Sequence, residues 1–370
     1  MNSYTNSNTI NKVDKYPQKG IVSLIEFEEL CKIKDCTYLS HSIAHIVLKY
    51  KNIDMQKIVT LTLAFAIMVG FTNQVQAQKK ELKGQISLSG AFALYPLVVK
   101  WAEEFKKLHP DVKIDISGGG AGKGITDALA KVVDLGMVSR EVKPEEVAKG
   151  AWFVAVAKDA VVPTINAKNP KIKELLAKGL TQAAAEKIFV TEEYKTWGQV
   201  LGVQSNIPLH LYVRSDACGA GETWAKYLGN KKQEDLKGTA VFGDPGVASA
   251  VQKDPLGLGY NNIAYAYDLK TKKPNPGILV LPIDVNNNGK IDAAENFYAT
   301  SGQLISAIAQ GKYPSPPARD LYLVANGKPT NPAVVAFLKF ILTEGQKYNV
   351  PNGYISLPKD KLNKGIAKLK

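Results

Sequence analysis

Cysteine and histidine are both scarce in this chain, with three of the first and four of the second among 370 residues. Cys31 and Cys36 lie within the first 77 residues, which leaves Cys218 alone in the remainder. A disulfide framework and a zinc site built from Cys and His are therefore excluded. No internal repeat is found, and no basic cluster interleaved with aromatic residues suggests nucleic acid as a partner. What is present is ordinary for a folded protein, 45% hydrophobic and 22% charged, and long enough for two domains with their own cores. The net charge is +13, carried mostly after residue 77, and such a field draws anions inward.

The N-terminal part reads as a targeting segment. Met55-Gln56-Lys57 is followed by the uncharged apolar run Ile58 to Phe71 and by Val75-Gln76-Ala77. A short basic start, an apolar stretch short of a comfortable bilayer span, and small residues at the cleavage positions make a secretory signal peptide over 55–77. Cleavage is expected after Ala77, leaving Gln78 first and placing the protein in the periplasm. The competing reading is a membrane anchor. Signal peptides begin a chain, so Met55 reads as the initiator and residues 1–54 as a spurious or disordered extension.

The most informative stretch is Ile116-Ser117-Gly118-Gly119-Gly120-Ala121-Gly122-Lys123-Gly124. The alternating, β-branched run 112–116 predicts a strand before it, and 125–133 predicts a helix behind it. Glycines at such a turn let several backbone N–H groups aim at one point, and the helix N-terminus adds partial positive charge. This is an anion cradle, or else a flexible turn that binds nothing. It is not a P-loop, because Gly124 follows Lys123 where a metal-holding Ser or Thr belongs.

Strands are also expected over 83–88 and 134–138, and a helix carries Leu97, Val98, Trp101 and Phe105 at helical spacing. The resulting βαβαβ order brings three strand ends, 89–92, 117–124 and 139–140, to one edge, where open α/β sheets bind ligands. Residues 152–165 form a long apolar strand. Helices are expected over 171–178, 181–189 and 192–200, and a strand over 208–213. That strand delivers Arg214-Ser215-Asp216-Ala217-Cys218-Gly219-Ala220-Gly221 onto a helix, a second candidate anion site. Residues 244–246 and 257–260 read as turns, 278–281 and 321–324 as short strands, 332–342 as an amphipathic helix, and the tail from 359 as polar.

Taken together, Ser89-Gly90, Tyr95-Pro96-Leu97, Lys100-Trp101, the 118–124 turn, Asp134-x-Gly136-Met137-x-Ser139-Arg140 and Arg214-x-Asp216-x-x-Gly219, with Leu321–Val324 and Gly327-Lys328-Pro329, follow a known order. Over nearly all of 83–350 the chain resembles the phosphate-binding protein of bacterial ABC-type phosphate uptake, a class II periplasmic binding protein. The resemblance implies an α/β fold of two lobes, each a mixed sheet flanked by helices, joined by two crossovers near 162–166 and 321–325. The lobes would be 78–163 with 322–370, and 164–321. It implies a monomeric, non-enzymatic solute-binding component of an ABC importer that closes on phosphate by a hinge motion and delivers it to membrane permease subunits. Sulfate, molybdate or tungstate remain alternative cargoes.

By the same resemblance the ligand contacts fall on Ser89, Gly90, Ala91 and Phe92, on Gly120, Ala121 and Gly122, on Ser139 and Arg140, and on Arg214, Asp216, Cys218, Gly219 and Ala220. Several departures stand out. Ala91, Phe92 and Ala93 replace a hydroxyl-bearing first turn, Ala121 replaces a Ser, and Cys218-Gly219-Ala220 replaces Ser-Gly-Thr. A hydrogen bond to a charged group contributes about 1.5–3 kcal/mol, so phosphate must rely on backbone N–H groups, Arg140, Arg214 and Lys123.

Two further signals concern other chemistry. Asp284-Val285-Asn286-Asn287-Asn288-Gly289-Lys290-Ile291-Asp292-Ala293-Ala294-Glu295 fits the twelve-residue EF-hand calcium loop, with metal ligands expected from Asp284, Asn286, Asn288, Lys290, Asp292 and Glu295. The bland reading is an Asn-Gly turn in a polar loop. The expected strand before it makes a structural Ca2+ more natural than a sensor. An enzyme or secreted scaffold is the remaining alternative, with Cys218 at a helix N-terminus as the nucleophile of a hydrolase. No base–nucleophile pair supports it, because His210 lies on the incoming strand and His109 ends a helix.

Overall fold

The computed structural model describes residues 81–370. The signal-peptide reading of 55–77 and the extension 1–54 lie outside the described residues. Nine strands lie among the described residues: β1 (Gly84–Gly90), β2 (Val112–Gly118), β3 (Leu135–Val138), β4 (Ala151–Asn166), β5 (His210–Arg214), β6 (Thr239–Val241), β7 (Gly257–Asn262), β8 (Ile278–Val280) and β9 (Ala318–Asn326). They lie in the order β2-β1-β3-β9-β4-β7-β5-β6, with β8 also on β4. Pairing of β1 with β2 and β3, and of β5 with β6 and β7, is parallel, while β4 and β9 pair antiparallel with all their neighbours. Both halves are thus mixed sheets, as expected for a type II binding-protein fold.

Two hydrophobic cores flank the strand pair β4–β9. One gathers Ile86, Leu97, Trp101, Phe105, Leu323 and Phe337, and the other Phe189, Trp197, Trp224, Tyr260, Leu304 and Tyr313. Trp101 and Trp224 are fully buried core residues. β4 pairs with β9 up to Ala160–Ala318 and then with β7 from Val161–Asn262. The chain therefore passes between cores at 157–160 and 318–321, slightly ahead of the crossovers read from the sequence.

Three local readings need correction. Residues 257–260 are not a turn but part of β7, and all six residues of that strand are buried. Its glycines serve close packing: a Cβ on Gly259 would lie 2.8 Å from Val247 Cγ1, and one on Gly257 3.3 Å from Val251 Cα. Residues 244–246 are not a turn either, but open the helix Gly243–Lys253, where Pro245 costs no intrahelical bond. The helix read at 192–200 is only Trp197–Leu201, because Thr196 caps it, its hydroxyl accepting from Gln199 N–H. The polar tail also contains a helix, Lys359–Lys368.

Candidate functional site

The glycine-rich stretch ends β2 and starts the helix Gly120–Leu129. Part of its glycine content is structural. A Cβ on Gly90 would meet Gly124 Cα at 2.6 Å, and one on Gly136 would meet Gly124 O at 2.1 Å, so the helix lies directly on β1 and β3. Gly119 and Gly120 have φ of 157° and 85°, the latter in the left-handed region that favours glycine. The first-turn residues fit around this helix. Ser89 donates its hydroxyl to Asp127 Oδ2 at 2.7 Å, and Ala91 N–H donates to Met137 O at 2.8 Å. Lys123 turns back along its own helix to pair with Asp127. Burial opposes ionisation of Asp127, but Lys123 and Ser89 outweigh it and hold its pKa below the ordinary carboxyl value.

β5 delivers the second turn, and Cys218 caps the helix Gly219–Tyr227 by accepting from Gly221 N–H at 3.1 Å. The two turns meet. Gly122 N–H donates to Ala217 O at 3.1 Å, a Cβ on Gly120 would stand 2.6 Å from Asp216 Oδ2, and one on Gly219 would stand 2.2 Å from Ser139 O. The Asp216 carboxylate and Ala217 carbonyl thus reach the N-terminus of the helix Gly120–Leu129, where an anion would be attracted. Ser89, Gly90 and Ala91 support this junction from beneath, while Ala121 and Ala220 are 1% exposed within it. Phe92 closes one side. Its ring abuts Gly118, packs edge-on against Phe242 at 5.9 Å, and lies 5.5 Å from Arg214 Cζ.

Both arginines are held between carboxylates. Arg140 forms a fork with Glu146 at 2.7 and 2.9 Å and reaches Glu222 at 3.1 Å. Arg214 bonds Asp216 through Nε at 2.7 Å and through Nη2, and pairs with Asp244 through Nη1. Burial opposes the charge of each guanidinium, but the carboxylates prevail and raise both pKa values. Burial likewise opposes the Asp216 charge, and Arg214 holds that carboxyl below its ordinary range. Asp244, Glu146 and Glu222 were not anticipated as partners. No spacing rule marks them, since they stand 30, 6 and 82 residues from the arginines they meet. Gln233 was missed too: it accepts from Cys218 N–H at 2.9 Å and donates to Asp216 O at 2.7 Å, bracing the turn.

The Cys218 thiol is buried. Burial pushes its pKa to about 12 despite Arg214 nearby, and its sulfur is engaged with Gly221. His210 instead faces Asp254 at 2.7 Å. Beside the junction lies a depression of about 600 Å³ walled by Phe92, Tyr95, Pro96, Val99, Pro245 and Tyr265. Tyr265 crosses it, donating its hydroxyl to Phe92 O at 3.0 Å.

The residues read as metal ligands lie elsewhere, in the loop between β8 and the helix Ser301–Ala309. Asp284 and Glu295 are buried, whereas Asn286, Asn288 and Lys290 are exposed and Asp292 half-buried. The loop neighbours residues 177–180 and Tyr298, not the turns of the cleft.

Residues 75–344 match the PBP superfamily domain. The phosphate-binding protein PstS of Pseudomonas aeruginosa is 29% identical over 315 residues, covering 78% of this chain and 88% of its own. PstS of Methanocaldococcus jannaschii is 26% identical over 348 residues, covering 79% and 87%. Among solved structures, a phosphate ABC transporter substrate-binding protein from Clostridium perfringens with bound phosphate is 25% identical with a TM-score of 0.61, covering 74% of this chain and all of its own. An ABC-type phosphate transport receptor from Vibrio cholerae, 19% identical at TM-score 0.54 and covering 74% and 100%, shares the fold.

Proposed function

The chain belongs to the PBP superfamily, and from that membership we propose that it is the solute-binding component of an ABC importer, with phosphate as its cargo. The observation that carries this reading is the meeting of two small-residue helix N-termini, Gly120–Leu129 and Gly219–Tyr227, across Gly122 N–H and Ala217 O. Each end presents backbone N–H groups and positive dipole charge to the same cleft, an arrangement suited to one small oxyanion. Phosphate enters when the lobes part about 157–160 and 318–321, and displaces Asp216 and Ala217 from the cradle. The cradle at 120–122 and the turn at 218–220 then bond its oxygens, while Asp216 accepts the proton that hydrogen phosphate carries and sulfate lacks. Arg140 and Arg214 are each shared with two carboxylates, so either must turn from one of them to offset the anion's charge.

In this reading the protein works as an exported monomer in the periplasm, engages permease subunits in the inner membrane and catalyses no reaction. No helix among the described residues is long and apolar enough to cross a membrane.

Calorimetric titration of the full chain, freed of phosphate, with phosphate, sulfate, molybdate and tungstate tests the proposal. Phosphate binding that falls sharply in Arg214→Ala is the expected result. Binding of another of these anions without phosphate would replace the cargo and keep the transport class. Binding of none would overturn the oxyanion reading.

A further inference from the structure

The loop Asp284–Glu295 takes no part in the cleft, and we propose that it holds one Ca2+ as a staple of the second core. Oxygen donors stand at its first, third, fifth, ninth and twelfth positions, as Asp284, Asn286, Asn288, Asp292 and Glu295, and the Lys290 backbone carbonyl supplies the seventh. Gly289, at the sixth position, has φ 80°, the turn this loop requires. Two amides and a carbonyl belong to this donor set, so the loop is not merely a collection of acids.

An independent argument comes from charge. Four carboxylates are buried among the described residues: Asp159, Asp244, Asp284 and Glu295. Asp159 is paired with Arg319 and Asp244 with Arg214. Asp284 is 1% exposed and Glu295 6%, yet neither has a Lys, Arg or His partner among the described residues. Backbone N–H groups alone reach them: Asn288 at 3.2 Å and Gly289 at 2.8 Å to Asp284, and Val285 at 2.8 Å, Asn286 at 3.1 Å and Asp292 at 3.3 Å to Glu295. Lys290 pairs outward with Asp292 at 3.2 Å. Two buried negative charges in one loop call for a cation, because buried charges are paired or coordinate metal. An all-oxygen set with a glutamate able to bind through both oxygens favours Ca2+ over Mg2+, which keeps most of its waters.

The surroundings give the ion its role. Ile291 N–H donates to Ala177 O at 2.8 Å, Asp284 N–H to Leu180 O at 3.2 Å, and Ile283 N–H to Tyr298 hydroxyl at 3.1 Å. A cation drawing Asp284 and Glu295 together therefore ties the end of the helix Ile172–Lys178 to the segment entering Ser301–Ala309. β8 precedes the loop where a sensor has a helix, so nothing is arranged to open. This inference is independent of the anion reading.

The test is calorimetry and thermal unfolding of the full chain after chelation, titrated with Ca2+ and in parallel with Mg2+. One Ca2+ per chain is expected, with the transition raised by roughly 5 °C at about a hundredfold excess over Kd. Glu295→Gln and the more exposed Asp292→Ala should each weaken Ca2+ at least about tenfold. Absence of both heat and shift with Ca2+, or a response unchanged in both variants, would overturn the proposal.

Discussion

Gly122 donates its backbone N–H to the carbonyl of Ala217 at 3.1 Å, so a residue of the glycine-rich turn is bonded to the opposite turn. The same approach brings Asp216 against Gly120. In the proposed reading the protein supplies its own carboxylate and carbonyl where a ligand's oxygens would sit, and cargo must outcompete them. Affinity is then the difference between two sets of hydrogen bonds.

Gly120→Ala should weaken phosphate binding by more than tenfold. Its φ of 85° disfavours any side chain, and the added methyl would stand 2.6 Å from Asp216 Oδ2. Backbone strain of this kind costs about 1–3 kcal/mol, so urea unfolding of the variant should also come earlier. Wild-type phosphate affinity in calorimetry would remove Gly120 from the site.

Cys218→Ser tests the missing hydroxyl. Sulfur and oxygen occupy similar space, and the serine can keep the cap on Gly221 N–H. The variant should bind phosphate about tenfold more tightly if one hydrogen bond to the anion is gained. Unchanged affinity would place position 218 outside the ligand shell. In the native chain, burial holds the thiol at about 12, so iodoacetamide at pH 8 should label it only after unfolding.

Arg319→Met should destabilise the fold by about 3–5 kcal/mol, the usual result of stripping a buried carboxylate of its partner. Arg319 bonds Asp159 at 3.1 Å, Gly219 O at 2.6 Å and Thr223 at 3.1 Å, and also Asn262, joining β4, β7 and the second turn. Asp159→Asn with Arg319→Met should recover part of the loss in denaturant titration. No recovery would show that the hydrogen bonds to Gly219 and Asn262 dominate.

Acid should unfold the protein through a defined set of carboxylates. Asp216, Asp127 and Glu146 have folded pKa values below their ordinary ones, so their contribution is intact above an unfolded pKa of about 4 and disappears as pH falls through the lower folded values. Asp159 has the opposite sign. Burial raises it to about 6 against the pull of Arg319, so its contribution is complete below about 4 and is lost as pH rises through 6. Urea midpoints measured from pH 3 to 8 should fall on the acid side, and Asp216→Asn should flatten that limb. A limb equally steep in Asp216→Asn would exclude this residue.

Much of the architecture was legible because its signals are local. The 112–116 alternation, the apolar spacing at 97–105 and the long run at 152–165 each became the element they foretold. Residues 244–246 and 257–260 misled because glycine and proline punctuate turns in most contexts. Here they allow a helix to lie against β7, and that need exists only once the two are stacked. The site divides similarly. The glycine-rich turn, both arginines and Asp216 as a partner of Arg214 were readable, yet the other carboxylates that neutralise the arginines were not. Asp244, Glu146 and Glu222 reach them only through the fold, and Asp216 reaches Gly120 only when the turns meet.

The sixteen residues of β4 run from one core into the other, with a register shift against β9 between Ala155 and Ala157. The polypeptide leaves the first core along this strand, builds the second, and returns along its neighbour β9. The two halves are therefore joined through continuous strands rather than through a flexible linker. Melting should be a single event for the same reason, and a lesion in either half weakens the whole.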